Sequence, residues 1–303
     1  MRWFETPTFD FVGKRKAAYI FSSILFLASL ALIVTKGLQY GIDFKGGQEF
    51  VYAFDQPINT TEVRSSLTDA LGSSPEVKLF GSDSEILIRT DSEEDSEVVK
   101  NLIEDKFQQD FASNPYTFEK KDSVGPKIAD DLKTSGLQSV IYAMAIIFIY
   151  ILIRFRKWTF SAGAVVALIH DVTITLGLFT LLNDLVSFSL LIDQNIIAAF
   201  LTIVGYSLND TVVVFDRIRE NSVVHKGMNF FDMVNKSLND TLSRTVITSL
   251  TTLFVVLVLF IFGGEVLKGL SFALIIGVVL GTYSSLFVAS PLVLELDKRA
   301  KKS

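Results

Sequence analysis

Residues 195 to 215 read NIIAAFLTIVGYSLNDTVVVF, an apolar run long enough to cross a bilayer that carries Asn209 and Asp210 in its second half. At 1.5 Å per helical residue, about 20 residues span the roughly 30 Å of hydrocarbon, so by length this is a membrane helix. Five further runs of this kind lie at Ala17 to Val34, Leu137 to Ile153, Thr159 to Leu182, Thr245 to Phe262 and Leu270 to Leu294. The expected fold class is an α-helical polytopic membrane protein with six transmembrane helices.

Composition agrees. A mean hydropathy of +0.43 with 20% charged residues requires charge and apolar residues to be segregated along the chain, which a soluble enzyme core does not need. With no cysteine there is no disulfide, thiol nucleophile or Cys-ligated metal, and the two histidines, His170 and His225, cannot build a His-rich site. No catalytic residue, metal or cofactor is expected. A net charge of −5 without a basic stripe excludes nucleic acid as a partner class.

Flanking charge sets the orientation. Four Lys/Arg precede the first run, three lie in Arg154 to Lys157, five in Asp216 to Arg244 and four in Asp297 to Ser303, all on one side. The opposite loops, Asn183 to Gln194 and Gly263 to Gly269, hold only Lys268. Both termini are therefore expected to be cytoplasmic. The first run follows Lys14-Arg15-Lys16 as a signal peptide would, but its 18 residues exceed a usual signal core and read as a first anchor.

The domains expected are residues 1–36, a cytoplasmic N-terminus and first helix; 37–135, an extracytoplasmic domain; and 136–303, a five-helix bundle with a cytoplasmic C-terminus. Residues 36 to 135 hold 11 Lys/Arg against 20 Asp/Glu, the acidic soluble part. Strands are expected at Gln48 to Phe54, Val77 to Phe80, Glu85 to Thr90 and Tyr116 to Lys121, the middle two joined by Gly81-Ser82-Asp83-Ser84. A helix capped by Asn59, Thr60 or Thr61 follows the first, and one from about Glu93 to Phe111 buries Val98, Leu102, Ile103 and Phe107. The order β-α-β-β-α-β is that of a ferredoxin-like split βαβ unit.

An ionisable group inside a span costs about 2.5 to 3.5 kcal/mol on insertion scales and marks a functional candidate. His170 and Asp171 lie near the middle of the third span, and Ser207, Asn209, Asp210 and Thr211 in the inner half of the fourth. Arg244 stands at the start of the fifth. Asp210 and Arg244 reach similar depth on antiparallel helices, so they can pair. Asp210 reads either as a proton-carrying acid or as a structural acid bonded to Arg244 and its hydroxyl neighbours. Arg244 alone reads as a snorkelling anchor, and His170-Asp171 as a helix contact or a relay.

Three segments carry a likeness: Gly41-Ile-Asp-Phe-Lys-Gly-Gly47, Val124-Gly125-Pro126, and Gly205 to Asn221, GYSLNDTVVVFDRIREN, continued by Arg244-Thr245-Val-Ile-Thr-Ser249 and Phe262-Gly263-Gly264. In these the chain resembles the SecF side of the SecD/SecF protein-export family, within the resistance-nodulation-division superfamily. The resemblance implies an accessory subunit of the Sec translocase in the bacterial inner membrane that uses the proton motive force to promote export. It implies SecD and the SecYEG translocon as partners, with YajC, YidC, unfolded exported proteins and membrane lipids beside them. It places the family's intramembrane acid on Asp210 and its arginine on Arg244. Half of a proton-coupled lipid or drug exporter, or a purely structural subunit, are the alternative readings.

Because the chain lacks cysteine, single cysteines test the orientation. Ser82→Cys in intact cells should react with a membrane-impermeant maleimide and Asn229→Cys should not; the reverse labelling overturns the topology.

Overall fold

A computed structural model describes residues 8 to 186 and 188 to 300. Six helices among them are long and apolar enough to cross a membrane, and each contains one of the expected runs: α1 (Arg15–Lys36), α5 (Pro126–Phe155), α6 (Trp158–Leu182), α7 (Gln194–Val224), α8 (Phe230–Phe262), and a last one formed by α9 (Glu265–Ser284), a π turn (Ser285–Ala289) and α10 (Ser290–Ala300). Between α1 and α5 stand α2 (Ile42–Lys45), β1 (Gly47–Phe54), α3 (Thr60–Leu71), β2 (Glu76–Phe80), β3 (Ser82–Thr90), α4 (Ser96–Asp110) and β4 (Tyr116–Val124).

Several helices outrun their apolar stretch. The 31 residues of α7 and 33 of α8 reach about 46 and 50 Å at 1.5 Å per residue, well beyond the hydrocarbon. Hydropathy reports only the lipid-facing part, and polar turns continue wherever protein packing or water satisfies them. At the end carrying both termini, the Asn235 carboxamide oxygen of α8 accepts from the Phe11 and Val12 amides at 2.9 and 3.2 Å, and Arg15 Nε donates to Glu295 of α10 at 3.0 Å. The small sheet lies at the other end.

That sheet has the order β2-β3-β1-β4, all antiparallel, which agrees with the split βαβ arrangement. Phe50, Tyr52 and Phe54 of β1 alternate onto the face covered by Val63 and Leu67 of α3 and by Val99, Ile103 and Phe107 of α4. Phe107 sits edge-on to Tyr52 and Phe54, each at 5.1 Å between ring centres. Burial pushes the Tyr52 phenol above its ordinary range.

Two local expectations are corrected. The β2–β3 turn shrinks to Gly81 at φ +88°, with β3 starting at Ser82, because a glycine in the left-handed region closes the reversal and a bulge at Leu79/Phe80 absorbs the register. Helix α4 begins at Ser96, where the Asp95 carboxylate accepts from the Glu97 amide at 2.8 Å, and its buried stripe is Val99, Ile103 and Phe107, leaving Val98 exposed.

The opposite face of the sheet rests on the bundle. Glu49 and Arg89, paired at 2.7 Å, and Leu87 line a cavity of about 310 Å³ whose other wall includes Leu191, Asp193 and Glu265. The connector from α1 is stitched to the segment before α7: the Gly41 amide donates to the Ile192 carbonyl at 3.0 Å, the Ile192 amide to the Gln39 carbonyl at 2.8 Å, and the Gln194 amide to the Asp43 carboxylate at 2.9 Å. Gly46 and Gly47, at φ +78° and +119°, then turn the chain into β1; a Cβ on Gly47 would lie 2.6 Å from the Thr90 carbonyl oxygen, so only glycine fits.

A fragment of residues 41 to 125 should melt cooperatively, and Phe107→Ala in it should cost about 3 to 5 kcal/mol of stability, read from urea titration. An unchanged midpoint would remove this ring from the core.

Candidate functional site

Along α7, Ser207, Asp210, Thr211 and Val214 recur at helical spacing on its buried face, while Asn209 falls on the exposed face, away from the other candidates. Thr211 is satisfied locally, donating to the Ser207 carbonyl at 3.1 Å. Two buried acids flank this face, one reached from α6 and one on α7 itself.

Asp171 of α6 is 0% exposed. One of its carboxylate oxygens lies 2.9 Å from His170 Nδ1, and the other accepts from Ser207 Oγ of α7 at 2.8 Å and Ser284 Oγ of α9 at 2.6 Å. Its own carbonyl accepts from Thr175 Oγ1 at 2.8 Å. Thus three of the expected residues, His170, Asp171 and Ser207, meet at one point.

Asp210 is 3% exposed and accepts from Ser249 Oγ of α8 at 3.4 Å; Ser249 in turn lies 2.6 Å from Thr282 Oγ1 of α9. The Asp210–Arg244 contact allowed by matched depth is not formed. Arg244 lies on an exposed face of α8 and makes no hydrogen bond or ion pair with the carboxylate among the described residues. Matched depth puts the two groups at one level, but the facing of α8 turns Ser249, five residues on, toward Asp210.

Both acids depend on the closeness of α9 to α7. A Cβ on Gly277 would stand 2.3 Å from Ile203, and one on Gly281 2.9 Å from the Ser207 Cβ. The GxxxG spacing therefore serves packing within the chain. Just past Ser284 the helix widens into the π turn, which ends two residues before Pro291, a residue with no amide to donate to the helix ladder. Ser249, Thr282 and Ser284 were not expected, since lone hydroxyls in apolar spans are common. The available signal was the small-residue stripe Gly277, Gly281 and Ser284, spaced four and three.

Chemically, the site offers two buried carboxylates, each accepting from hydroxyl donors on neighbouring helices. Among the described residues no three His, Asp or Glu side chains could hold a metal ion.

Comparison with known proteins matches residues 103–299 to the family "Protein export membrane protein SecD/SecF, C-terminal" and residues 31–58 to "SecD/SecF GG Motif". The chain is 56% identical over 300 residues to the protein translocase subunit SecF of Rhodothermus marinus, covering 99% of this chain and 97% of that one. It is 40% identical over 297 residues to the SecF of Calditerrivibrio nitroreducens, covering 97% and 95%. Among solved structures it superposes on SecDF, a translocon-associated membrane protein from Thermus thermophilus, with a TM-score of 0.87 and 34% identity, covering 98% of this chain and 40% of that longer one. A structure of SecDF in a super-membrane-facing form gives a TM-score of 0.72 at 33% identity, over 99% and 40%.

Gly281→Val should force α9 off α7 at a cost of roughly 1 to 3 kcal/mol, seen as a lower thermal midpoint of the detergent-purified protein. Gly205→Ala, where a Cβ meets nothing within 4 Å, should not lower it. Equal midpoints for the two variants would mean the crossing is looser than described.

Proposed function

This chain belongs to the SecD/SecF family of protein-export membrane proteins, on its SecF side, and we propose that it couples the proton gradient to protein export through Asp210, with Arg244 setting the field at that acid. It is an accessory subunit of the Sec protein translocase and a multi-pass membrane protein. Under this reading its partners are SecD and the SecYEG translocon, with YajC and YidC further members. Both termini are cytoplasmic, the acidic sheet faces outward, and unfolded exported chains are the cargo. No covalent chemistry is required.

The observation that carries the proposal is Asp210 itself. It is buried in a membrane helix, has a hydroxyl for its hydrogen-bond partner, and lies in a chain that matches SecF relatives end to end. A buried carboxylate without an ion-pair partner is costly in its charged form, so protonation changes the free energy of the helix packing around it. Adding the proton removes the attraction across the α7–α8 interface to Arg244 and weakens acceptance from Ser249. A different α7–α8 packing is then favoured.

Movement of one charge through 100 mV supplies about 2.3 kcal/mol, enough to shift a two-state equilibrium more than tenfold. The shift has a route outward. The first residues of α7 are hydrogen-bonded to the connector that leads into β1, so a tilt of α7 carries the base of the sheet with it.

Asp210→Asn should leave protein level and SecD association intact and abolish stimulation of export by a proton gradient in vesicles after ATP-driven initiation. Arg244→Met should weaken that stimulation as well. Full stimulation in Asp210→Asn would return both residues to structural roles.

A further inference from the structure

We propose that the His170–Asp171 pair is a second proton-binding site of the bundle, separate from Asp210 and reached through the cleft between α1 and α6. It rests on the proton-coupled reading only for its use, not for its existence.

The first observation is the charge balance around Asp171. Among the described residues, every hydrogen bond to its side chain comes from a hydroxyl or from the His170 imidazole. The neighbouring helices bring Tyr19 on α1, Tyr206 and Asp210 on α7, and Tyr283 on α9. On α5, Tyr142 and Tyr150 are exposed, and Arg154 pairs with Asp216 at 3.0 Å. Glu295 and Asp297 of α10 face Arg15 and Lys157 at 3.0 and 3.7 Å. No Lys or Arg forms an ion pair with Asp171 among the described residues. With a neutral imidazole and an ionised carboxylate the pair carries one uncompensated negative charge in mid-membrane; one added proton, on either member, makes it neutral.

The second observation is independent of the first. Among the described residues, His170 Nε2 is buried with no hydrogen-bond partner, and so is the Tyr19 hydroxyl. Both residues line one cavity of about 380 Å³, together with Ser22 and Ser23 of α1, Val288 of the π turn and Leu292 beyond it. Nε2 is thus the imidazole nitrogen left without a hydrogen bond, on a residue at the wall of this cavity. The ring is then placed to accept a proton at Nε2 and to pass one from Nδ1 to the carboxylate, as histidine relays do.

The site also has a way to be felt. Ser207, which holds Asp171, stands one turn from Asp210 on α7, and Ser284 stands two residues from Thr282, whose hydroxyl meets Ser249 beside Asp210. Both protonation sites thus bear on the same stretch of α9, next to the π turn.

The test is pH-difference infrared spectroscopy of the full chain purified with SecD, over about pH 5 to 9. Asp171→Asn should remove one titrating carboxyl band that Asp210→Asn leaves in place. His170→Gln should keep the band and move its midpoint by about one pH unit or more, which gives a second reading if Asp171→Asn fails to assemble. A spectrum of Asp171→Asn identical to that of the parent, or a midpoint indifferent to His170→Gln, overturns the proposal. Gradient-stimulated export separates the two ideas. If Asp210→Asn exports normally while the Asp171 band still titrates, the coupling reading fails and this site stands. If Asp210→Asn loses stimulation and Asp171→Asn loses no band, this site fails and the coupling reading stands.

Discussion

The approach of α9 to α7 at backbone distance is the constraint on which the rest of the bundle depends. Helices in lipid gain little from burying apolar side chains against one another, so they associate through close van der Waals packing and a few polar contacts. Gly277 and Gly281 permit that packing against Ile203 and Ser207. Once the two backbones meet, Ser284 and Thr282 come within reach of partners on two other helices, α6 and α8. A larger residue at either glycine would pull Ser284 from Asp171 and Thr282 from Ser249, leaving Asp171 with Ser207 and His170 and Asp210 with Ser249 alone.

Hydroxyl donors suit a working acid better than a tight ion pair would. An arginine in direct contact stabilises the charged carboxylate and makes its protonation expensive. A serine or threonine can donate to the charged form and accept from the neutral one, so neither state is strongly trapped. Asp171 and Asp210 both have this environment. The absence of direct contact with Arg244 leaves that arginine on an open face of α8, alongside the exposed apolar side chains Val255, Val258 and Phe262. A surface with that composition is suited to lipid and to other membrane helices.

The outer sheet and the bundle are joined less by covalent linkage than by the hydrogen bonds between residues 39 to 43 and 192 to 194. Backbone groups at this level lie where water is scarce and must be paired. Their pairing makes the start of α7 and the entry to β1 one mechanical unit. Lys36 adds an ion pair to Asp184 at 2.9 Å, and the Lys133 ammonium lies over the Tyr40 ring at 4.6 Å. The glycines at 46 and 47 serve this junction by letting the chain turn sharply against Thr90.

What the sequence alone determined was what depends on local composition and period. Apolar runs of membrane length identified all six helices, because the cost of putting unpaired backbone or charge in hydrocarbon leaves little alternative. Period-two alternation and an Asn cap identified the sheet elements, and intramembrane acids stood out because they are rare. Only the tertiary structure decided which side chains meet. Asp210 and Arg244 share a depth, but rotation about the helix axis turns Ser249 toward the acid. Asp171 gathers Ser207 and Ser284 from 36 and 113 residues away. Depth along a helix follows from counting residues, whereas facing follows from the crossing of its neighbours, and that crossing is set by small residues distant in the chain.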